Sequence, residues 1–144
     1  MVDQIDAHWQ GRLRPRLEGL SDSEYFWEPV TTIAWRMAHL IGGLASTNGK
    51  QFGGAPVGEE TFCYAGTAEE ALRQLDAEYG IWIDGVRRMG TAGLAEPQGE
   101  PPAFAHAPMA KKMLYANVEL IHHGAEICLL RDLYLRVGPA SMGS

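Results

Sequence analysis

The stretch Thr32-Ile33-Ala34-Trp35-Arg36-Met37-Ala38-His39-Leu40-Ile41-Gly42-Gly43-Leu44 decides the fold. Ile33, Met37, Leu40, Ile41 and Leu44 recur at three- and four-residue spacing, which predicts a helix starting at Thr31 or Thr32. Ala34 and Ala38 carry the apolar surface almost all round, so this helix is expected at the centre of the molecule. Midway along it sits one imidazole, His39.

Outward from that helix the same periodicity returns three times. Ile5, Trp9, Leu13 and Leu17 mark one face of a helix over about Val2 to Leu20. Ser21 followed by Glu24 is a capping box that opens a short turn through Tyr25, Phe26 and Trp27, which Pro29 ends. A Gly-rich loop is expected from Asn48 to Gly66, pinned by Phe52, Phe62 and Tyr64. Thr67-Ala68-Glu69-Glu70 is a second capping box, opening a helix through Leu72, Leu75, Tyr79, Trp82, Ile83, Val86 and Met89. Gly90 and Gly93 read as its stops. Pro97, Pro101, Pro102 and Pro108 make Thr91 to Pro108 an irregular connection. Pro108 then reads as the first-turn proline of a fourth helix reaching about Arg136, roughly 40 Å long. No segment alternates like a strand. The pattern predicts an all-α four-helix bundle with long irregular connections, as a single domain over residues 1–144.

Composition bounds what such a bundle does. The chain has 144 residues, 46% hydrophobic and 21% charged, so it affords a packed core and is neither disordered nor fibrous. Its formal charge of −6 argues against nucleic acid and anionic lipid as partners. No apolar run approaches the roughly 20 residues of a membrane helix. Asp3 and Asp6 stand where a signal peptide would be basic and then apolar. Cys63 and Cys128, two cysteines far apart, point to a reduced cytoplasm rather than a disulfide scaffold.

Chemistry concentrates in Glu119-Leu120-Ile121-His122-His123-Gly124-Ala125-Glu126. Glu119 and His123 are four apart and share a helical face, which Tyr115 and Glu126 extend by one turn each way. Such a polar face is expensive to bury unless something uses it. Two imidazoles and a carboxylate are a ligand set of catalytic zinc and of non-haem iron. His39 from a facing helix would complete that set. Taken alone, the residues favour a plainer reading: a Glu119–His123 hydrogen-bonded pair on a solvated face, with His39 a satisfied core histidine.

The segments Thr32–His39 and Glu119–Ile127 resemble the two signature helices of the DinB/YfiT-like superfamily. Leu13–Pro29 and Ile127–Tyr134 are similar to an actinobacterial branch of it, so the likeness spans nearly the whole chain. The resemblance implies a four-helix bundle, often a homodimer, with a divalent metal held by three histidines. Of these, one comes from the second helix and two from the fourth at H-x-x-x-H spacing. Relatives include thiol S-transferases using bacillithiol or mycothiol, and mycothiol-dependent maleylpyruvate isomerase. By position His39 matches the first ligand and His123 the third. Glu119 stands where the wider superfamily has the middle histidine. The abrupt Val30–Thr31 junction departs from the longer loop of related chains.

The expectation is therefore a mononuclear divalent site in the bundle core, zinc first, with nickel, iron or manganese as other candidates. Its ligands are His39, Glu119 and His123. The implied function is a metal-dependent thiol transferase or hydrolase acting on a small molecule, with a low-molecular-weight thiol as possible co-substrate. The alternative is a non-catalytic metal- or ligand-binding bundle, or a degenerate member without metal. Tyr115 and Glu126 are the candidates to move a proton, and Glu126 is also placed to orient an imidazole. His122 points about 100° away and is read as a packing or hydrogen-bonding residue. Arg36 faces either an anionic substrate or a carboxylate across the bundle. Cys63 and Cys128 read as small buried hydrophobes, and His8 and His106 as exposed. Asn48-Gly49 and Gly53-Gly54 are turns that follow no strand, so they make no phosphate loop. Phe26, Trp27, Phe52, Phe62 and Phe104 outside the helices point to a homodimer interface.

Overall fold

A computed structural model describes residues 2–53, 57–58 and 61–138. The chain is all-α, and among the described residues the only β pairing is an isolated bridge between Pro97 and Pro108. The order is α1 (Val2–His8), a π-helical turn (Trp9–Leu13), α2 (Arg14–Leu17), α3 (Asp22–Tyr25), α4 (Ile33–Gln51), α5 (Ala68–Ala95) and α6 (Met109–Val137). No described helix is long and apolar enough to cross a membrane.

α1, the π turn and α2 form one continuous arm, the first helix of the bundle. Ile5, Trp9, Leu13 and Leu17 are all buried, as their spacing requires. A strict four-residue spacing drifts by about 40° per step around an α-helix. The wider π turn takes up much of that drift and keeps the stripe on the core. It also lies just before Pro15, which has no N–H to give and whose ring crowds the carbonyl four residues back. Trp9 stacks on Tyr79 with centroids 3.8 Å apart, and Arg14 forms a two-pronged pair with Asp76 at 2.6 and 2.9 Å. These contacts seat the arm on α5.

The Ser21 capping box forms in full. The Ser21 hydroxyl accepts from Glu24 N–H at 3.3 Å, and Glu24 Oε2 accepts from Ser21 N–H at 3.0 Å. The other oxygen of the buried Glu24 accepts from Arg131 Nε at 2.9 Å, tying α3 to α6. Thr67 caps α5 by accepting from Glu70 N–H at 3.2 Å, but Glu70 turns to Gly66 N–H rather than to Thr67. That box is half formed.

Three boundaries differ from the sequence reading. α4 does not stop at Asn48 but runs to Gln51, so Asn48-Gly49 is helix and not a turn. The cause is tertiary: buried Asn48 donates from Nδ2 to the carbonyl and carboxylate of Glu78 on α5, at 2.9 and 2.7 Å. Gly54 of the Gly53-Gly54 pair lies outside the described residues. Gly90 does stop the first run of α5, as read, but Gly93 is not a stop. Gly90 adopts φ 60° and ψ −171°, a kink that only glycine takes easily, and the helix resumes to Ala95. The connection between α5 and α6 is therefore shorter, with one 3-10 turn at Pro102–Phe104. Pro108 sits just outside α6 as its cap residue, not in its first turn.

α4 packs against both α5 and α6, while the arm packs on α5 and touches α6 through the π turn. Ile33, Met37, Leu75, Trp82, Met113, Leu120 and Ile127 meet in one core, each contributing about 1.5–3 kcal/mol by leaving water. α4 is central, as expected, though it is not apolar all round: Trp35 and His39 are exposed.

Candidate metal centre

α4 and α6 run antiparallel, which brings the middle of one against the middle of the other. His39 Nε2 lies 3.3 Å from Glu119 Oε2, and His123 Nε2 lies 3.4 Å from the same oxygen. The two imidazoles meet edge to face with centroids 4.8 Å apart. The three residues offer ligand atoms that all lie within 4.8 Å of one another. The site is a groove at the bundle surface rather than a sealed core pocket. The His39 side chain is 44% exposed, Glu119 28% and His123 11%.

The donor set fits a divalent ion. Tetrahedral ligands at about 2.0–2.1 Å from zinc lie about 3.3–3.4 Å from one another. The two Glu119 distances match that edge. They are long for good hydrogen bonds, which centre near about 2.9 Å.

The surrounding side chains hold this arrangement in place. His123 Nδ1 lies 2.5 Å from Glu126 Oε2. Burial by itself would raise the Glu126 pKa, but the His123 hydrogen bond and the Arg36 charge outweigh it and hold the carboxyl below its ordinary range. An ionised carboxylate only accepts, so Nδ1 is the donor of that bond, and Nε2 is the nitrogen turned toward Glu119. Arg36 Nε is 3.2 Å from Glu126 Oε2, an ion pair without hydrogen-bond alignment. Arg36 thus meets a carboxylate across the bundle. On α4, Trp35 stacks parallel to His39 at 5.6 Å, and the Arg36 guanidinium lies 4.8 Å over Trp35.

Burial would likewise raise Glu119, but hydrogen bonds from His39 and Tyr115 and the facing His123 keep its carboxyl below the ordinary range. Tyr115 is 65% exposed. Its hydrogen bond to the Glu119 carboxylate raises its pKa and keeps the hydroxyl protonated. Gly124 lets the arm approach beside His123: a Cβ there would stand 2.8 Å from Leu13 Cδ2.

Other candidates fall outside the cluster. His122 is exposed, with Nε2 3.6 Å from Glu126 Oε1. His106 is exposed as expected, but His8 is half-buried, where burial and Arg12 lower its pKa. Cys128 packs against the core, whereas Cys63 is exposed because Phe62 takes the inward position beside it. Both thiols are free. Two neighbouring residues carry weaker signals in the sequence. Trp35 was signalled by its four-residue spacing to His39. Lys112 was signalled by lysine placement, since the chain has lysine only at 50, 111 and 112.

Fold and site define an all-α bundle with a His/Glu cluster able to hold a divalent ion between its second and fourth long helices. The sequence model of the DinB superfamily matches residues 4–127, and the chain belongs to that superfamily. No curated protein and no solved structure matches it.

Proposed function

We propose that the chain is a metal-dependent enzyme of thiol S-transferase or hydrolase type, with His39, Glu119 and His123 holding one divalent ion. Zinc is the first candidate, ahead of nickel, iron or manganese. The observation that carries this reading is the convergence of the three donors, with His123 turned toward the others by Glu126. A divalent ion held there supplies the pKa lowering that makes a thiol or water nucleophilic near neutral pH. The proposed co-substrate is a low-molecular-weight thiol of the mycothiol or bacillithiol kind.

The chain's own residues have distinct parts in this proposal. Glu126 fixes the tautomer and ring plane of His123, and Arg36 keeps Glu126 ionised. Glu119 gathers His39 and Tyr115 onto one carboxylate. Tyr115, protonated and open to solvent, is the proton donor nearest the groove. The partial exposure of His39 leaves room for a small substrate beside it.

A non-catalytic binding bundle is the second reading, favoured by one observation. Glu119 already faces His39 at 3.3 Å and His123 at 3.4 Å, contacts that tie the cluster together without an ion. Elemental analysis of protein purified without added metal, with turnover of a panel of electrophiles using mycothiol, bacillithiol or water, separates the two. The enzyme reading expects one metal per chain and turnover that His123→Ala abolishes and Tyr115→Phe slows with metal retained. Metal without turnover across the panel supports the second reading.

The proposal includes a homodimer. Of the five aromatics outside the helices, Trp27, Phe52 and Phe62 are partly buried and lend it little, while Phe26 and Phe104 are exposed. Leu114, Val118, Ile121 and Leu129 support it better, as an exposed apolar stripe along α6 away from the groove. Light scattering near 32 kDa is expected, and a mass near 15.8 kDa at micromolar concentration contradicts it. Free Cys63 and Cys128 fit a reducing, cytoplasmic setting.

A further inference from the structure

A cleft of about 270 Å³ between α4 and α6 begins at His39 and Glu119 and ends at Thr47 and Lys112. Its middle is walled by Leu40, Leu44 and Leu120. Glu119 and Lys112 lie seven residues apart on one face of α6, two turns or about 10 Å along the axis. A second cleft of about 410 Å³, walled by Pro101 and Phe104, shares Lys112 and Tyr115 with the first. Lys112 therefore stands where two cavities join.

The charge at this end is unusual for the chain. In a protein of net charge −6, every lysine gathers here. Lys111 is drawn aside, its Nζ 4.7 Å over the Phe104 ring. Lys112 is half-buried and makes no ion pair among the described residues. Burial first and the Lys50 charge second lower its pKa, with Glu100 offsetting part of this. The Thr47 hydroxyl donates to Gly43 O at 3.0 Å, so it has no proton to offer a ligand. Among the described residues lining the cleft, Lys112 is the one lysine or arginine. An unpaired, half-buried ammonium loses hydration without gaining a partner, and an arriving anion removes that deficit.

The geometry points to a small carboxylate with an unbranched apolar body as the occupant of this cleft, its carboxylate on Lys112 and its far end beside His39 and Glu119. An extended eight-carbon chain is about as long as the two helical turns between them, roughly 10 Å. The apolar body suits the leucine walls, and the single cation selects a monoanion. That the far end is the reacting end rests on the metal-dependent reading; carboxylate capture at Lys112 does not.

The test is calorimetric titration of the full chain, stripped of metal by chelator, with butanoate, hexanoate, octanoate and 1-octanol. Affinity should rise with chain length, and octanoate should bind more tightly than octanol. Lys112→Met, which keeps the stem and loses the charge, should weaken octanoate about tenfold and leave octanol unchanged. Lys112→Arg should restore most of the loss. Lys111→Met should bind octanoate like the wild type. Unchanged octanoate binding in Lys112→Met overturns the proposal, as does an equal loss in Lys111→Met, which would assign binding to the outer surface. A parallel zinc titration keeps the two readings apart. Zinc binding without carboxylate preference sinks only this inference, and carboxylate preference without zinc binding sinks only the metal.

Discussion

His123 Nδ1 lies 2.5 Å from Glu126 Oε2, one turn further along the same helix, and Arg36 of the facing helix is 3.2 Å from that same oxygen. The imidazole is thereby held from behind by a carboxylate that is itself held from across the bundle. An isolated histidine on a helix surface would choose among rotamers; this one is turned toward Glu119 and His39.

Removing that support should loosen the site without dismantling it. Glu126→Gln keeps the shape but gives up the charge, so zinc affinity is expected to fall about 10–100-fold with the helical content unchanged. Competition titration against a chromophoric chelator measures the change. Wild-type affinity in the variant would show that the Glu126 contact does not orient a ligand.

Glu119→His supplies the third imidazole that the resemblance to the superfamily implies for this position. It is expected to raise the zinc content of protein purified without added metal, because neutral nitrogen donors suit zinc well. Elemental analysis of the two proteins side by side decides it. No gain in the variant would mean that Glu119 is not what limits occupancy.

How far the sequence could be read follows from the range of the interactions involved. Ile5, Trp9, Leu13 and Leu17 announce the first arm because one helix face sets their spacing, and Ser21 with Glu24 announces a cap because both partners lie within four residues. Glu119 and His123 are legible for the same reason, and His39 through its place on an apolar helix. What stayed hidden depends on contacts across the fold. Asn48 looks like a turn residue until Glu78 takes its amide, and the π turn before Pro15 depends on the core the arm must face. Gly90 reads as a stop and does break the helix; the second helical run that follows it to Ala95 carries no comparable local signal.

That glycine carries a prediction of its own. A side chain at φ 60° and ψ −171° is strained, so Gly90→Ala should destabilise the fold by about 1–3 kcal/mol despite alanine's better helix propensity. Chemical denaturation read by circular dichroism measures it. A more stable variant would mean that the kink is not part of the folded state.

Acid stability should depend on Glu24. Burial alone would raise its pKa, but the Ser21 N–H and hydroxyl and the Arg131 guanidinium together hold it below the ordinary 4.5. The folded state thus favours the ionised form. Its contribution is complete above that ordinary value and is lost as pH falls through the lowered folded pKa. Glu24→Gln should lower stability at pH 7 and flatten the acid limb of the stability–pH curve. Parallel curves for the two proteins below pH 5 would show that another carboxylate sets the limb.

The most direct test of the metal centre is X-ray absorption spectroscopy of the zinc-loaded full chain, set beside His39→Ala and His123→Ala. The account predicts one zinc per chain with light-atom ligands at about 2.0–2.1 Å, the outer-shell scattering of two imidazoles, and the loss of one imidazole in each variant. A sulfur shell from Cys63 or Cys128, or imidazole scattering unchanged in both variants, would place the ion elsewhere and contradict the assignment of His39, Glu119 and His123.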